Sequence, residues 1–418
     1  MKKIILFTIL IFSATVMPAQ YVGIGTAFPS YRLDVSGGSI NTDSLYRING
    51  NAVLSVKGSA NTFVGTNGGI STTTGNSNTA VGSNAFFSNT AGNGNSAFGK
   101  NSLYANINGY ENTAVGNETL YSNTTGYYNV GLGAHSLYQN TTGVYNSALG
   151  SAALYYNING AYNTASGYGS LNRNTSGSYN VASGYASFEA NTTGSGNTVI
   201  GYWSLNLTGT SNYNTAVGYK AGHGFSHGWN NTFLGTESNA QGTGFFNCIA
   251  IGNLALATAS NQARIGNSST ISIGGFANWT NISDGRFKKN IREDVKGLDF
   301  IMKLRPVTYR LDISTLSKKL DEQKSGSWNE DMQKAVAEKE KIIQSGFIAQ
   351  EVETAAKETG YDFSGVDKPK NENDLYGLRY AEFVVPLVKA VQEQQAIIRL
   401  QQSQIDELKK AINQLKKK

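Results

Sequence analysis

The sequence predicts a mainly-β repeat fold, a parallel β-roll or β-solenoid rod, followed by an α-rich domain that ends in a coiled coil. Three observations carry this prediction. A 17-residue unit recurs twelve times between residues 61 and 266. Charge density changes abruptly near residue 282: 9 Lys and Arg with 6 Asp and Glu precede that point, whereas 25 and 22 follow it. Apolar residues then alternate at spacings of three and four from Val384 to Leu415. The first part also holds most of the 48 glycines and has no proline between Pro29 and Pro306, so a domain boundary belongs near 282. The net charge of +6 divides evenly between the two parts and forms no basic stripe in the body, which argues against a nucleic-acid partner.

Taken in order, residues 1–19 read as a secretory signal peptide. Lys2 and Lys3 precede an apolar run over residues 4–12, and small residues lead to Gln20. The run is far shorter than the ~20 residues a membrane span needs, and no other stretch is long enough. The expected location is therefore secreted, extracellular or at the cell surface, with no transmembrane segment after signal removal. Cys248 is the only cysteine, which excludes an intrachain disulfide and a lipidated N-terminus. Residues 20–60 form a short lead-in to the repeats.

The repeats, residues 61–266, begin with the pentad Asn61-Thr62-Phe63-Val64-Gly65, and relatives follow every 17 residues to Asn231, with Cys248 in the asparagine place of the twelfth. The fifth residue is glycine in all twelve, from Gly65 to Gly252. Eight residues into the unit lies a second register: Phe86, Leu103, Leu120, Leu137, Leu154, Leu171, Phe188 and Leu205. Seventeen residues are too few for a helical hairpin and suit one solenoid rung. Two short strands per rung are expected, the pentad and the Ala-Leu-Tyr segment, joined by Gly and Asn turns. With ~4.8 Å per rung the rod spans roughly 55–60 Å. One thin apolar column is a weak core, so several chains are expected to share it. Tyrosines stand in register at Tyr104, Tyr121, Tyr138 and Tyr155, and at Tyr128, Tyr145, Tyr162 and Tyr179. They offer a binding face for a surface glycan or protein receptor, although repetition alone also produces such ladders. His223 and His227 lack a third ligand nearby and read as a polar loop rather than a metal pair, and no cofactor is expected.

The repeats resemble the heads of trimeric autotransporter adhesins and related bacterial and phage fibre proteins. That resemblance implies three chains packed side by side as parallel β-rolls.

Residues 267–282 link the repeats to the segment Ser283-Asp284-Gly285-Arg286-Phe287-Lys288-Lys289-Asn290. Read alone, it is a Ser-Asp-Gly turn and a basic strand. Ser283 and Lys288, five apart, face opposite ways on a strand and do not align on a helix, so pairing them needs a bend near Gly285. Further blocks follow at Leu304-Arg305-Pro306-Val307-Thr308-Tyr309, at Gly346-Phe347-Ile348-Ala349-Gln350-Glu351-Val352 and over residues 380–393. Together these blocks resemble the C-terminal intramolecular chaperone domain of phage tail spikes and endosialidases, a family of self-cleaving serine peptidases. The resemblance implies a homotrimer whose chaperone, residues 283–383, promotes folding of the fibre and then cuts itself off. It makes Ser283 the nucleophile, Lys288 the general base and the bond between Ile282 and Ser283 the scissile one, with Asp284, Arg286 and Asn290 completing the motif. The charged stretch 318–341 reads as an insertion between blocks.

Residues 384–418 predict the coiled coil. Val384, Leu387, Val391, Gln394, Ile398, Gln401, Ile405, Leu408, Ile412 and Leu415 form five heptads. The heptads show self-association; three strands rather than two rest on the resemblance. Lys409, Lys410 and residues 416–418 suit a helix C-terminus, where cations meet the dipole. The expected function is thus a homotrimeric, adhesin-like fibre with single-turnover Ser-Lys autoproteolysis. The alternatives are an uncut fibre with an inactive chaperone stalk, or a glycan-processing tail-spike-like enzyme. The last is weakened because the 6 acidic residues before 283 do not recur as the close pair that glycoside hydrolysis needs.

Overall fold

In the computed structural model each 17-residue unit forms one rung of a β-solenoid. The structure describes residues 51–417 except 208 and 327, together with the short strands Val22–Ile24, Leu33–Val35 and Leu45–Ile48. The signal peptide expected at residues 1–19 lies outside the described residues. Each rung contributes one three-residue strand, from Thr62–Val64 at intervals of 17 to Ile249–Ile251. Neighbours pair in parallel, so Ala80 stands on Ala97 and Ala97 on Ala114. A last strand, Ala263–Ile265, joins after a shorter turn.

The central residue of each strand points inward and meets the second register. Leu103, Leu120, Leu137, Leu154 and Leu171 are fully buried, as are Ala97, Ala114, Ala148 and Ala165. This column closes within a single chain, contrary to the expectation that several chains share it. The alanines are small enough for the leucines to fill the rung alone. Size is balanced in the first rung: where Phe63 takes the alanine place, Gly69 takes the leucine place, and a Cβ there would lie 2.4 Å from the ring.

The second strand that the sequence predicts forms only in the last two rungs, where Asn239–Ala240 pairs in parallel with Leu256–Ala257; the Ala-Leu-Tyr segments of the earlier rungs are not strands. Their leucine sits at φ of 49° to 52° from Leu103 to Leu171, in the left-handed region. A left-handed residue bends the chain back across the rung in the few residues available. The ladder survives without an extended strand, because the Leu103 N–H donates to the Thr119 carbonyl and that of Ala105 to Tyr121, both at 2.9 Å. The conformation costs ~1–2 kcal/mol per residue. Burying the leucine returns ~1.5–3 kcal/mol, so packing wins. The fifth-position glycine is required twice over. Its φ lies between 113° and 140°, and a Cβ on Gly133 would lie 2.6 Å from the carbonyl carbon of Gly150 in the next rung.

Two buried asparagine ladders run along the rod. In the first, each Nδ2 donates to the Oδ1 one rung earlier, from Asn78 to Asn61 at 3.1 Å through to Asn231 and Asn214 at 2.9 Å. The second links Asn89, Asn106, Asn123, Asn140, Asn157, Asn174 and Asn191 at 2.7–3.0 Å. Buried amides are tolerated because each meets its partners, whereas an orphaned one costs ~1–3 kcal/mol. Cys248 ends the first ladder, its N–H donating to Asn231 Oδ1 at 2.9 Å. At the N-terminal end the hairpin Leu45–Ile48 with Asn51–Ser55 pairs antiparallel to Thr62–Val64 and covers the first rung.

Beyond the rod come helices α1 (Leu298–Ile301), α2 (Ile313–Lys319), α3 (Glu330–Glu340), α4 (Ala349–Glu358) and α5 (Val384–Leu415). Their small core gathers Phe300, Val352, Phe363 and Phe383, with Phe363 4.9 Å from Phe300 and 4.8 Å from Phe383. The strands Val307–Tyr309 and Gln344–Gly346 pair antiparallel. Among the described residues no helix is long and apolar enough to cross a membrane.

Candidate active site

From residue 271 the linker after the last rung runs exposed, and the chain turns once at its end. Asp284 caps a 3₁₀ turn, Gly285–Phe287, by accepting the Arg286 N–H at 2.9 Å. The Arg286 guanidinium returns to the same carboxylate, with Nε 2.9 Å from Oδ2. This side-chain bond, helped by the backbone one, holds the Asp284 carboxyl below the usual range. The Lys288 N–H closes the turn on the Gly285 carbonyl at 3.1 Å. This is the bend that the five-residue spacing requires. It carries Lys288 Nζ to 2.9 Å from Ser283 Oγ, with the ammonium donating to the hydroxyl.

Asp284 and Arg286 therefore shape the turn that brings Ser283 and Lys288 together. Asn290 takes φ of 54°, a left-handed conformation that asparagine tolerates well. Ile282, on the acyl side of the Ser283 amide, is 92 % exposed, so its carbonyl stands in open linker. The chemistry available is that of a hydroxyl beside an amine. A serine becomes nucleophilic when a neighbouring base takes its proton.

Elsewhere the tyrosines stack as the repeat dictates. Rings from Tyr104 through Tyr121 and Tyr138 to Tyr155 follow at 4.9–5.1 Å, and those from Tyr128 to Tyr179 at 5.0–5.1 Å. A third column, Tyr168, Tyr185, Tyr202 and Tyr219 at 5.3–5.5 Å, escaped the sequence reading although its 17-residue spacing was there to find. His223 stacks on Trp203 at 5.8 Å, and burial pushes its imidazole below the ordinary value. Among the described residues no three metal-ligating side chains come together.

No curated protein matches the chain. Residues 283–361 match the family model described as chaperone of endosialidase, so the match opens on Ser283. A β-solenoid rod that leads into such a region fits a tail-fibre-like protein with an intramolecular chaperone.

Proposed function

We propose that the protein is a secreted or cell-surface homotrimeric fibre, adhesin-like in its lasting role, whose C-terminal region drives assembly and then severs itself between Ile282 and Ser283. The observation that carries this reading is the 2.9 Å contact between Lys288 Nζ and Ser283 Oγ, at the start of the matched region and in exposed linker. In the reaction neutral Lys288 takes the hydroxyl proton while Ser283 Oγ attacks the Ile282 carbonyl carbon. The C–N bond breaks, the proton passes to the Ser283 nitrogen, and an ester joins the two halves. Water then hydrolyses the ester, leaving a carboxylate on Ile282 and restoring the Ser283 hydroxyl. Lysine acts as a base only where desolvation or nearby cations bring its pKa towards ~7–8. In the single chain the segment is exposed, so neighbouring chains are the source of that desolvation, and the cut reports completed assembly.

Two apolar lines support association of like chains. The α5 heptad residues Val384, Leu387, Val391, Ile398, Ile405, Leu408, Ile412 and Leu415 are 45–72 % exposed. On the outward face of the rod Val64, Val81, Phe98, Val115, Leu132 and Leu149 repeat at one register and are also exposed. The three tyrosine columns supply separate aromatic strips for a glycan or protein receptor. Intact mass of the purified chain beside its Ser283→Ala variant tests the cut. Two fragments meeting between Ile282 and Ser283, absent in the variant, are expected; a single uncut chain in both removes the peptidase reading.

A further inference from the structure

The segment that reads as an insertion docks on the C-terminal end of the rod. Glu322, in the short turn after α2, is 3 % exposed and accepts the Ser268 N–H at 3.0 Å as well as the Ser268 hydroxyl. Lys339 of α3 grips the same stretch from its carbonyl side, with Nζ 2.6 Å from Ser268 O and 2.7 Å from Thr270 O. A second hold lies beside it. Asp374, 6 % exposed, accepts from Thr258 Oγ1 at 2.6 Å and Gln262 Nε2 at 3.0 Å, while Asn371 Nδ2 donates to Thr258 O at 2.8 Å. Arg264 stands 3.9 Å from the Asp374 carboxylate.

Every one of these contacts crosses the bond between Ile282 and Ser283. Thr258, Gln262, Arg264, Ser268 and Thr270 precede it, whereas Glu322, Lys339, Asn371 and Asp374 follow it. Cutting exposed linker removes none of them. A solenoid end leaves backbone groups that need polar partners, and these residues supply them to the Thr258, Ser268 and Thr270 carbonyls and to the Ser268 N–H.

We propose that, once the chain is cut as read above, the C-terminal fragment stays bound to the rod end through Glu322, Lys339, Asn371 and Asp374, as a noncovalent cap. Cutting and release are then separate events. The cut makes release available, and a further change at this interface brings it about.

The test uses the full chain with a specific protease site in place of residues 273–279, on a Ser283→Ala background, so that it runs whether or not the chain cuts itself. After protease cleavage, the two fragments are expected to co-elute on native size exclusion and to separate only in denaturant. With Glu322→Ala and Asp374→Ala together, the C-terminal fragment is expected to elute alone, its hold weakened about a hundredfold or more by the loss of buried charged partners. If the alanine pair fails to fold, Glu322→Gln with Asp374→Asn keeps the volumes and shifts elution the same way. Fragments that part on cutting in the parent chain overturn the proposal, as does undiminished co-elution of the charge-removing variants. Absence of self-cutting in the unmodified chain sinks only the peptidase reading.

Discussion

The rod buries its leucine column at 0 % exposure within one chain, while α5 leaves its seam residues 45–72 % exposed. Both are lines of apolar side chains at a fixed period, yet they meet different fates. A rung wraps around its own leucine and stacks it on the next. A lone helix has nothing to wrap with, so its stripe waits for a second helix. On the proposed reading the helix supplies the self-associating seam, whereas the rod's leucine column is already buried within one chain.

The sharpest way to break this contrast is to charge the seam. Ile405→Asp with Ile412→Asp is expected to convert the assembled protein to single chains by light scattering, while the β signal of the rod is kept. Loss of the rod in those single chains would mean that its column is not self-sufficient. Leu137→Ala should act oppositely, destabilising the rod by ~2–5 kcal/mol in denaturant unfolding because the stacked neighbours cannot collapse into the gap. Association through α5 should be unchanged, and a cost under ~1 kcal/mol would contradict the packing described.

The smallest effect separates the two regions by pH. Glu353 accepts from Lys357 at 2.7 Å, Lys368 at 3.0 Å and Tyr376 at 2.9 Å, and these bonds hold its carboxyl down at about 2. A depressed carboxyl contributes stability above its ordinary titration, lost as pH falls from ~4.3 towards about 2. Hydrogen exchange is expected to show the segment around Lys368 and Tyr376 loosening from α4 over that window, with the acid-poor rod unaffected. A segment equally protected at both ends of the window would contradict this assignment.

Much of the rod was legible because its information is periodic: asparagine, glycine and leucine each hold one register, and each register has one physical job. The leucine bend was not legible. Leucine rarely takes positive φ, and only the stacked rung makes the cost worthwhile. At Ser283 the spacing already demanded a bend, and Asp284, Gly285 and Arg286 are the residues that make it. The docked end was opaque for a different reason. Glu322 lies in the charged stretch that reads as an insertion, Asp374 lies in none of the blocks that the sequence singles out, and their partners Ser268 and Thr258 are 54 and 116 residues away.

The asparagine ladders have one more consequence, for how the fibre can vary in length. Where both ladders run, from Asn89 to Asn191, each rung offers its successor the same donors and acceptors that it receives from its predecessor. Duplicating one whole unit, such as residues 129–145, therefore lengthens the rod by ~4.8 Å and leaves both ends with their original covers. Adding a single residue inside a unit does the reverse, throwing leucine, glycine and asparagine out of phase at once. Reach can change only in whole rungs, so the rod is a ruler graduated by its own repeat.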